Sequence, residues 1–468
     1  MPASLVWFRN DLRLADNPAL IAGLGSGRPV VPVYVLDEET DGVRPPGAAS
    51  RWWLHHSLHA LDASLRALGS RLILRRGPAE RVIEELAAEV DVSAIYWNRA
   101  YDQAARERDT RLKQTFNRRG VVAEGLKGNL LFEPWEVQTT SAGSFKMFSA
   151  FWRACRGLPS PTAPLPAPRT LPVPPQWPTT DRVADWRLLP SAPDWSGGLG
   201  VSWTPGEASA ALRLMAFLDD ALARYRLERD LPAVHATSRL SPHLAFGEIS
   251  ARQIWRAATT RGHSAATEKF LNELGWREFA YHLLFHHGNL AERNFRSEFD
   301  TFPWLDEGST LEAWRRGRTG YPIVDAGLRE LWATGWIHNR LRMIVASFLT
   351  KDLMIDWRAG ERWFWDTLVD ADPANNATGW QWVSGSGADA APYFRVFNPV
   401  LQGEKFDPTG DYVRRWVPEL ASLPAEIVHR PWEAASPLPP EIYPARIVEH
   451  DTARQRALEA FRALKRSA

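Results

Sequence analysis

The stretch VVPVYVLD, residues 30–37, followed a few residues later by RWWLHHSLHALDASLRALG, residues 51–69, sets the fold class of the first part of the chain. The first run is apolar and rich in β-branched residues to its last position, the pattern of a strand buried on both faces. The second places Leu54, Leu58, Leu61, Leu65 and Leu68 at helical spacing. A buried strand leading into a helix predicts a βαβ unit and a parallel sheet. Working outward, SLVWFR (4–9), SRLILRR (70–76), SAIYWNR (93–99) and VVAEGL (121–126) read as further strands. Residues 1–130 are therefore expected to form an α/β domain with a parallel, Rossmann-like sheet. GLGSG at 23–27 follows no predicted strand and reads as a loop rather than a phosphate-binding fingerprint.

Composition narrows the function classes. A chain of 468 residues with 45% hydrophobic and 24% charged content has room for two hydrophobic cores, and no apolar run is long enough to span a bilayer. The start, MPASLVWFRNDLRL, meets Asp11 and several Arg before any signal-like apolar core, so a cytoplasmic protein is expected. One cysteine, Cys155, excludes an internal disulfide, a Cys-ligated iron–sulfur cluster and a multi-Cys zinc site. The pair His282 and His286 has metal spacing but no third ligand, so no metal is expected. Net charge of +1 leaves nucleic-acid binding open, while seven Lys against 49 Arg and an excess of Trp, 23 in all, favour planar and stacking contacts.

Domain organisation follows from where the periodicities stop. From Leu158 the chain runs PSPTAPLPAPRTLPVPPQWP, which supports no regular element, so residues 131–205 are expected to be a connector, Pro-rich from about 158. After Pro205 strand signals vanish, and residues 206–468 are predicted to be helical. Ser250 and Gln253 form a capping box, and Pro322 and Gly335 bracket a helix.

Four segments of the helical half carry chemistry. TSRLSPHLAFGEIS sets Thr237, Ser238 and Ser241 before Pro242, either an ordinary helix cap or an anion site. NELGWREF brings Glu273, Trp276 and Arg277 toward one helix face, where an acid beside an indole either completes an amphipathic helix or holds a heterocyclic base. GWIHNRLRM places Asn339 and Arg342 on one face with Arg340 and Met343 flanking it. DADPANNATGWQWVSGSGADAAPYFR, residues 370–395, matches neither helical nor strand periodicity throughout and reads as a segment wrapped around a ligand.

Taken together and in order, VWFRNDLRLADNPAL, TSRLS, NELGWREF, TGYPIVDAGLRELWATGWIHNRLRM, IDWR, DADPANNATGWQW and DAAPYFRVFNPVLQGEKFDP resemble the cryptochrome/photolyase family over nearly the whole chain. The resemblance implies an α/β antenna domain and a helical domain that holds FAD. It assigns Tyr225, Thr237, Ser238, Arg239, Leu240, Ser241, Arg277, Arg342, Asp370, Asp372 and Asn376 to the cofactor, with Asn376 facing flavin N5. It assigns Trp380, Trp357 and Trp304 to a tryptophan chain from flavin to surface. Arg229, Arg340 and Gln402 match positions near DNA, and Glu273, Trp276, Asn339, Met343 and Trp382 match the pocket of the cyclobutane pyrimidine dimer photolyases, bacterial class III or class I. Glu273, Asn339 and Asn376, with the three chain tryptophans, are the expected catalytic residues.

The implied activity is light-driven repair of cyclobutane dimers in UV-damaged DNA, by electron transfer from photoexcited reduced FAD (FADH⁻) to the flipped-out lesion, in a monomeric bacterial protein. In (6-4) photolyases His occupies the positions of Asn339 and Met343, which this chain lacks. The alternative is a cryptochrome-type blue-light photoreceptor; such proteins usually carry a long tail, whereas this chain stops soon after RIVEHDTARQRALEAFRALKRSA begins, and Asn376 stands where plant cryptochromes usually have Asp. Ala105, Ala291 and Glu292 replace the usual folate-binding acid and Cys-Lys pair. An antenna of methenyltetrahydrofolate held in a different mode is expected, with a deazaflavin as the alternative.

Overall fold

The computed structural model describes residues 2–390, 394–436 and 438–467. Residues 391–393, in the tail of the DADPANN stretch and the start of the YFRVFNP motif, lie outside the described residues.

Five parallel strands form one sheet in the order β3-β2-β1-β4-β5: β1 (Ala3–Phe8), β2 (Val30–Leu36), β3 (Ile73–Arg76), β4 (Val92–Asn98) and β5 (Val122–Leu126). Every residue of β1 and β2 is buried, as a sheet covered on both faces requires. The register pairs Leu5 with Val31 on one side and with Ile95 on the other. Helices α1 (Pro18–Gly25), α2 (Ala48–Ala67), α3 (Ala79–Glu89) and α4 (Gln103–Arg118) alternate with the strands, and α2 buries Leu54, Leu58, Leu61 and Leu65 as its spacing predicts.

GLGSG is not a loop throughout. Asn17 caps α1 by accepting from Leu20 N at 3.1 Å, Pro18 opens it, and the helix carries Gly23 and Gly25 inside it. Gly23 is required there by packing: a Cβ would lie 2.6 Å from Cγ2 of Val6 on β1. The Pro-rich stretch is likewise anchored rather than loose. Val30 N donates to Pro172 O, Leu165 N to Asp16 Oδ1 and Leu74 N to Thr180 Oγ1, and short helical turns occur at Val183–Trp186 and Gly197–Ser202.

Contacts divide the chain into two compact units, Met1–Phe145, Ser149–Asp220 and Ser238–Gly288 in one, Lys146–Phe148, Ala221–Thr237 and Asn289–Ala468 in the other. This division differs from a cut at the connector, because α5 (Ser241–Ala245), α6 (Ala251–Thr260) and α7 (Ala265–His287) are tied to the sheet. Arg13 Nη1 donates to Gly247 O at 2.8 Å, Ser250 Oγ bonds Asp16, and Leu131 and Phe132 donate their N–H groups to Glu278 on α7. At Gly247, φ is +63° and a Cβ would sit 2.0 Å from Asn10 O, so only glycine allows this approach. Glu278 is fully buried, and loss of hydration raises its pKa to about 7.

The second unit is helical. Its elements α8 (Pro322–Thr334), α9 (Asn339–Ser347), α10 (Trp357–Thr367), α11 (Asn375–Ser384) and α12 (Pro399–Phe406) surround a core that includes Trp314, Leu328, Leu341, Val345, Trp357, Phe364, Trp380 and Tyr412. Pro322 starts α8 and Gly335, with φ +66°, ends it. The buried Asp325 carboxylate is saturated by Thr319 N and Oγ1, Gly320 N and Tyr443 OH, which pins the TGYP turn. No helix among the described residues is long and apolar enough to cross a membrane.

Candidate functional site

In the helical unit, the chain reversal between α8 and α9 brings Arg342 to the DADPANN segment. Its Nη2 lies 2.7 Å from Asp370 Oδ2, and its Nε donates to Ile337 O at 3.0 Å. The Asp370 side chain is only 2% exposed, so the pair neutralises a charge that has lost nearly all its water. Its other oxygen, Oδ1, is buried with no protein partner. Asp372 does a different job: its Oδ1 accepts from Ala374 N, Asn375 N and Asn375 Nδ2, which fixes the entry to α11.

Asn376, in the first turn of α11, is oriented without ambiguity. Its Nδ2 donates to Glu361 O at 3.0 Å and to Glu361 Oε1 at 2.8 Å, two acceptors that only the amide nitrogen can satisfy. Both N–H groups are thereby used, and Oδ1 is the atom this amide has left to offer. Trp380, one turn further along α11, is 2% exposed with its Nε1 buried and unpartnered. It rests flush on Gly360 of α10, where a Cβ would come 2.1 Å from the ring, and it meets Phe364 edge-on at 4.9 Å.

The three expected chain tryptophans are gathered by backbone. Leu305 forms a parallel bridge to Ile355, which brings Trp304 beside the start of α10. Trp357 opens that helix, fully buried, with Nε1 donating to Asn294 Oδ1 at 2.9 Å. Gly360, three residues on, carries Trp380. Trp304 is half-buried and packs on Phe302 at 4.5 Å.

The expected DNA-side residues of this unit are Arg229, Arg340, Asn339, Met343, Trp382 and Gln402. Asn339 is exposed, and Met343, Trp382 and Gln402 are half-buried on α9, α11 and α12. Tyr225 is buried under the Arg229 guanidinium, 5.2 Å from ring to cation, and Thr237 is half-buried.

The sheet-bearing unit holds the remainder. Ser241 opens α5 and is exposed, while Leu240 is buried. Arg239 adopts φ +50°, uncommon for a residue with a side chain, and its guanidinium stacks on Trp203 at 4.4 Å. Ser238 lies beside it, half-buried. On α7, Glu273 is 3.8 Å from Lys269 Nζ and Trp276 meets Phe279 edge-on. Arg277, expected at the cofactor, has Nη1 on Asn129 O and Glu278. His282 accepts a hydrogen bond from Phe145 N through Nε2, and burial beside His286 pushes its pKa down to about 3.

Reading the residues alone passed over Glu361, Gly360 and Asn294. The available signal was weak: Glu361 falls one helical turn after Trp357, and Gly360 interrupts the aromatic run WRAGERWFW.

The donor set suits a flavin. Asp370 Oδ1 is a buried acceptor without a partner, and Asn376 presents a carbonyl oxygen, so a ligand bearing N–H or O–H donors fits both, as the flavin ring and ribityl chain do.

Comparison with known proteins agrees. Residues 4–169 match the family described as DNA photolyase, and residues 270–463 match the FAD binding domain of DNA photolyase. The chain is 50% identical to a deoxyribodipyrimidine photo-lyase of Agrobacterium fabrum, over 99% of this chain and 98% of that protein. It is 39% identical to cryptochrome-1 of Arabidopsis thaliana, covering 98% of this chain and 70% of that one. The crystal structure of a bacterial class III photolyase from Agrobacterium tumefaciens superposes with a TM-score of 0.96 at 49% identity, over 100% and 98% of the two chains. The chain belongs to the photolyase/cryptochrome family.

Proposed function

We propose that this chain is a deoxyribodipyrimidine photo-lyase that uses light to reverse cyclobutane pyrimidine dimers in DNA, acting as a monomer in the bacterial cytoplasm. The observation that carries the reading is the locked amide of Asn376. With both its N–H groups on Glu361, it offers an acceptor, which suits a protonated flavin N5, and it adds no negative charge beside an anionic reduced ring. FAD, when bound in its reduced form, supplies a light-absorbing electron donor.

The protein's own residues bind, orient and exclude water. Arg342 holds Asp370 so that its buried Oδ1 would be left to accept from a cofactor donor, with Asp372 shaping the adjoining turn. Tyr225, Thr237, Ser238, Arg239, Leu240 and Ser241 take the phosphates and ribityl chain. By the family resemblance, Trp276 and Trp382 are assigned apolar contact with the lesion, Glu273 a hydrogen bond to a thymine edge, and Asn339 and Met343 further contacts with it. Arg229, Arg340 and Gln402 grip the backbone. A dimer stacks and pairs poorly, so extruding it costs less than extruding normal bases, which contributes selectivity. Trp380, Trp357 and Trp304 are assigned to carry charge between the site and the surface, a role for which closely spaced indoles are needed because the transfer rate falls steeply with distance. For the antenna we propose methenyltetrahydrofolate rather than a deazaflavin, held by residues other than Ala105, Ala291 and Glu292.

Lesion preference tests the reading. Photoreduced protein is offered oligonucleotides carrying either a cyclobutane thymine dimer or a (6-4) photoproduct, in blue light and in the dark. Light-dependent restoration of thymine from the cyclobutane lesion alone is expected; repair of the (6-4) lesion, or of neither, overturns it.

A further inference from the structure

Two of the arginines expected at the DNA come from distant segments and meet at one carboxylate. Asp230 Oδ2 lies 2.9 Å from Nη2 of Arg340, and Asp230 Oδ1 lies 3.7 Å from Nε of Arg229. Each guanidinium also lies over an aromatic ring, Arg340 on Phe406 at 4.3 Å and Arg229 on Tyr225 at 5.2 Å. The Arg340 backbone is held as well, since its N–H donates to His338 Nδ1 at 3.1 Å, a ring that burial keeps neutral with a pKa near 4. Arg229 and Arg340 are 10% and 18% exposed, while Asp230 is 38% exposed. The acid is thus the outermost charge of the cluster, on a surface expected to meet phosphates. An acid there repels DNA of any sequence, so pure affinity does not account for it.

We propose that Asp230 is a positioning residue for DNA recognition: it draws Arg229 and Arg340 to one point before DNA arrives, and this ordering favours the backbone of lesion-bearing DNA over undamaged duplex. Two neighbouring cations that would otherwise repel each other are held at one point in advance by the carboxylate between them. The carboxylate simultaneously weakens contact with any backbone that does not fit the set arrangement. The inference rests on the photolyase reading and deepens it.

The test compares wild type with Asp230→Asn, Asp230→Glu and, as a control away from the cluster, Glu419→Gln, which loses the 2.7 Å pair with Arg329. Binding to a dimer-containing duplex and to the same undamaged duplex is measured across a salt series, with KM and kcat for light-driven repair. For Asp230→Asn we expect dimer affinity to fall about tenfold while undamaged affinity holds or rises with a steeper salt dependence. The selectivity ratio then drops about tenfold or more, with the repair defect concentrated in KM. Asp230→Glu recovers part of the selectivity, and Glu419→Gln keeps all of it. If Asp230→Asn strengthens binding to both duplexes equally, or changes neither, the acid is a bystander and the inference is overturned. Melting temperature and flavin content are recorded for each variant; if Asp230→Asn folds poorly, Asp230→Glu decides, and wild-type selectivity in that variant overturns the inference. A wild-type protein with no light-dependent repair removes the photolyase reading itself, a failure separate from that of Asp230.

Discussion

Gly360→Ala probes the seat of Trp380 and its magnitude is readable from the structure. An added Cβ would stand 2.1 Å from Cη2 and 2.5 and 2.6 Å from Cζ3 and Cζ2 of the indole, whereas ordinary contact begins near 3.4 Å. The ring must therefore retreat by about 1 Å, yet it is boxed in by Phe364 at 4.9 Å and Trp314 at 6.1 Å. Overpacking of this kind costs about 1–3 kcal/mol, against which the better helix propensity of alanine returns up to roughly 1 kcal/mol. The expected net is about 1–2 kcal/mol of destabilisation, a fall of roughly 2–8 °C in the Tm of the helical unit, whose roughly 200 residues are taken to melt as one cooperative unit. If Trp380 belongs to the proposed tryptophan chain, displacing it disturbs one step of that chain, so flash-induced reduction of the oxidised flavin should slow severalfold. Repair by protein reduced chemically beforehand should suffer far less, because that route bypasses the chain. A Gly360→Ala protein that melts and photoreduces like wild type would refute the packing argument and the role given to Trp380.

Three further perturbations follow from individual contacts. Arg342→Gln strands the nearly dry Asp370 carboxylate and should cost about 3–5 kcal/mol in chemical denaturation, with loss of bound FAD; an unchanged unfolding midpoint would contradict the buried pair. Asn376→Asp sets a second carboxyl within hydrogen-bonding reach of Glu361, so one of the two must hold a proton, and the reduced protein should reoxidise faster in air and with new pH dependence; unaltered reoxidation counts against the amide's role. Lys351 is fully buried with its Nζ 3.5 Å over the Phe394 ring, and desolvation pulls its pKa down to about 7 from 10.5. Because the folded form releases that proton more readily than the unfolded one, stability is lost as pH falls from 10.5 toward 7 and levels off below. Lys351→Met should therefore outlast wild type by on the order of 3–5 kcal/mol at pH 6.5 and by much less near pH 10; a gap independent of pH would refute this.

The parallel sheet was legible because strands buried on both faces need no partner information: VVPVYVLD is apolar almost throughout wherever it pairs. Helix ends announced themselves through local chemistry, as at Ser250, Pro322 and Gly335. GLGSG misled because glycine at position 23 answers to Val6 of a neighbouring strand, not to a turn. The grouping of residues 238–288 with the sheet was invisible for a similar reason, since it depends on bonds such as Arg13 to Gly247 and Leu131 to Glu278 that join distant positions. At the site, the residue types were readable as motifs but their orientations were not. Nothing in DADPANN says that the amide of Asn376 is turned by Glu361, fifteen residues upstream on another helix.

Light-driven repair by this protein involves no net redox change. Its most direct measurement is illumination of fully reduced protein with a cyclobutane thymine dimer oligonucleotide under anaerobic conditions, following thymine and flavin absorbance together and against a dark control. Recovery of thymine absorbance over many turnovers in the light, none in the dark, and a flavin spectrum that ends as it began are expected. Stable flavin oxidation in proportion to product, or illumination without any thymine recovery, would contradict it.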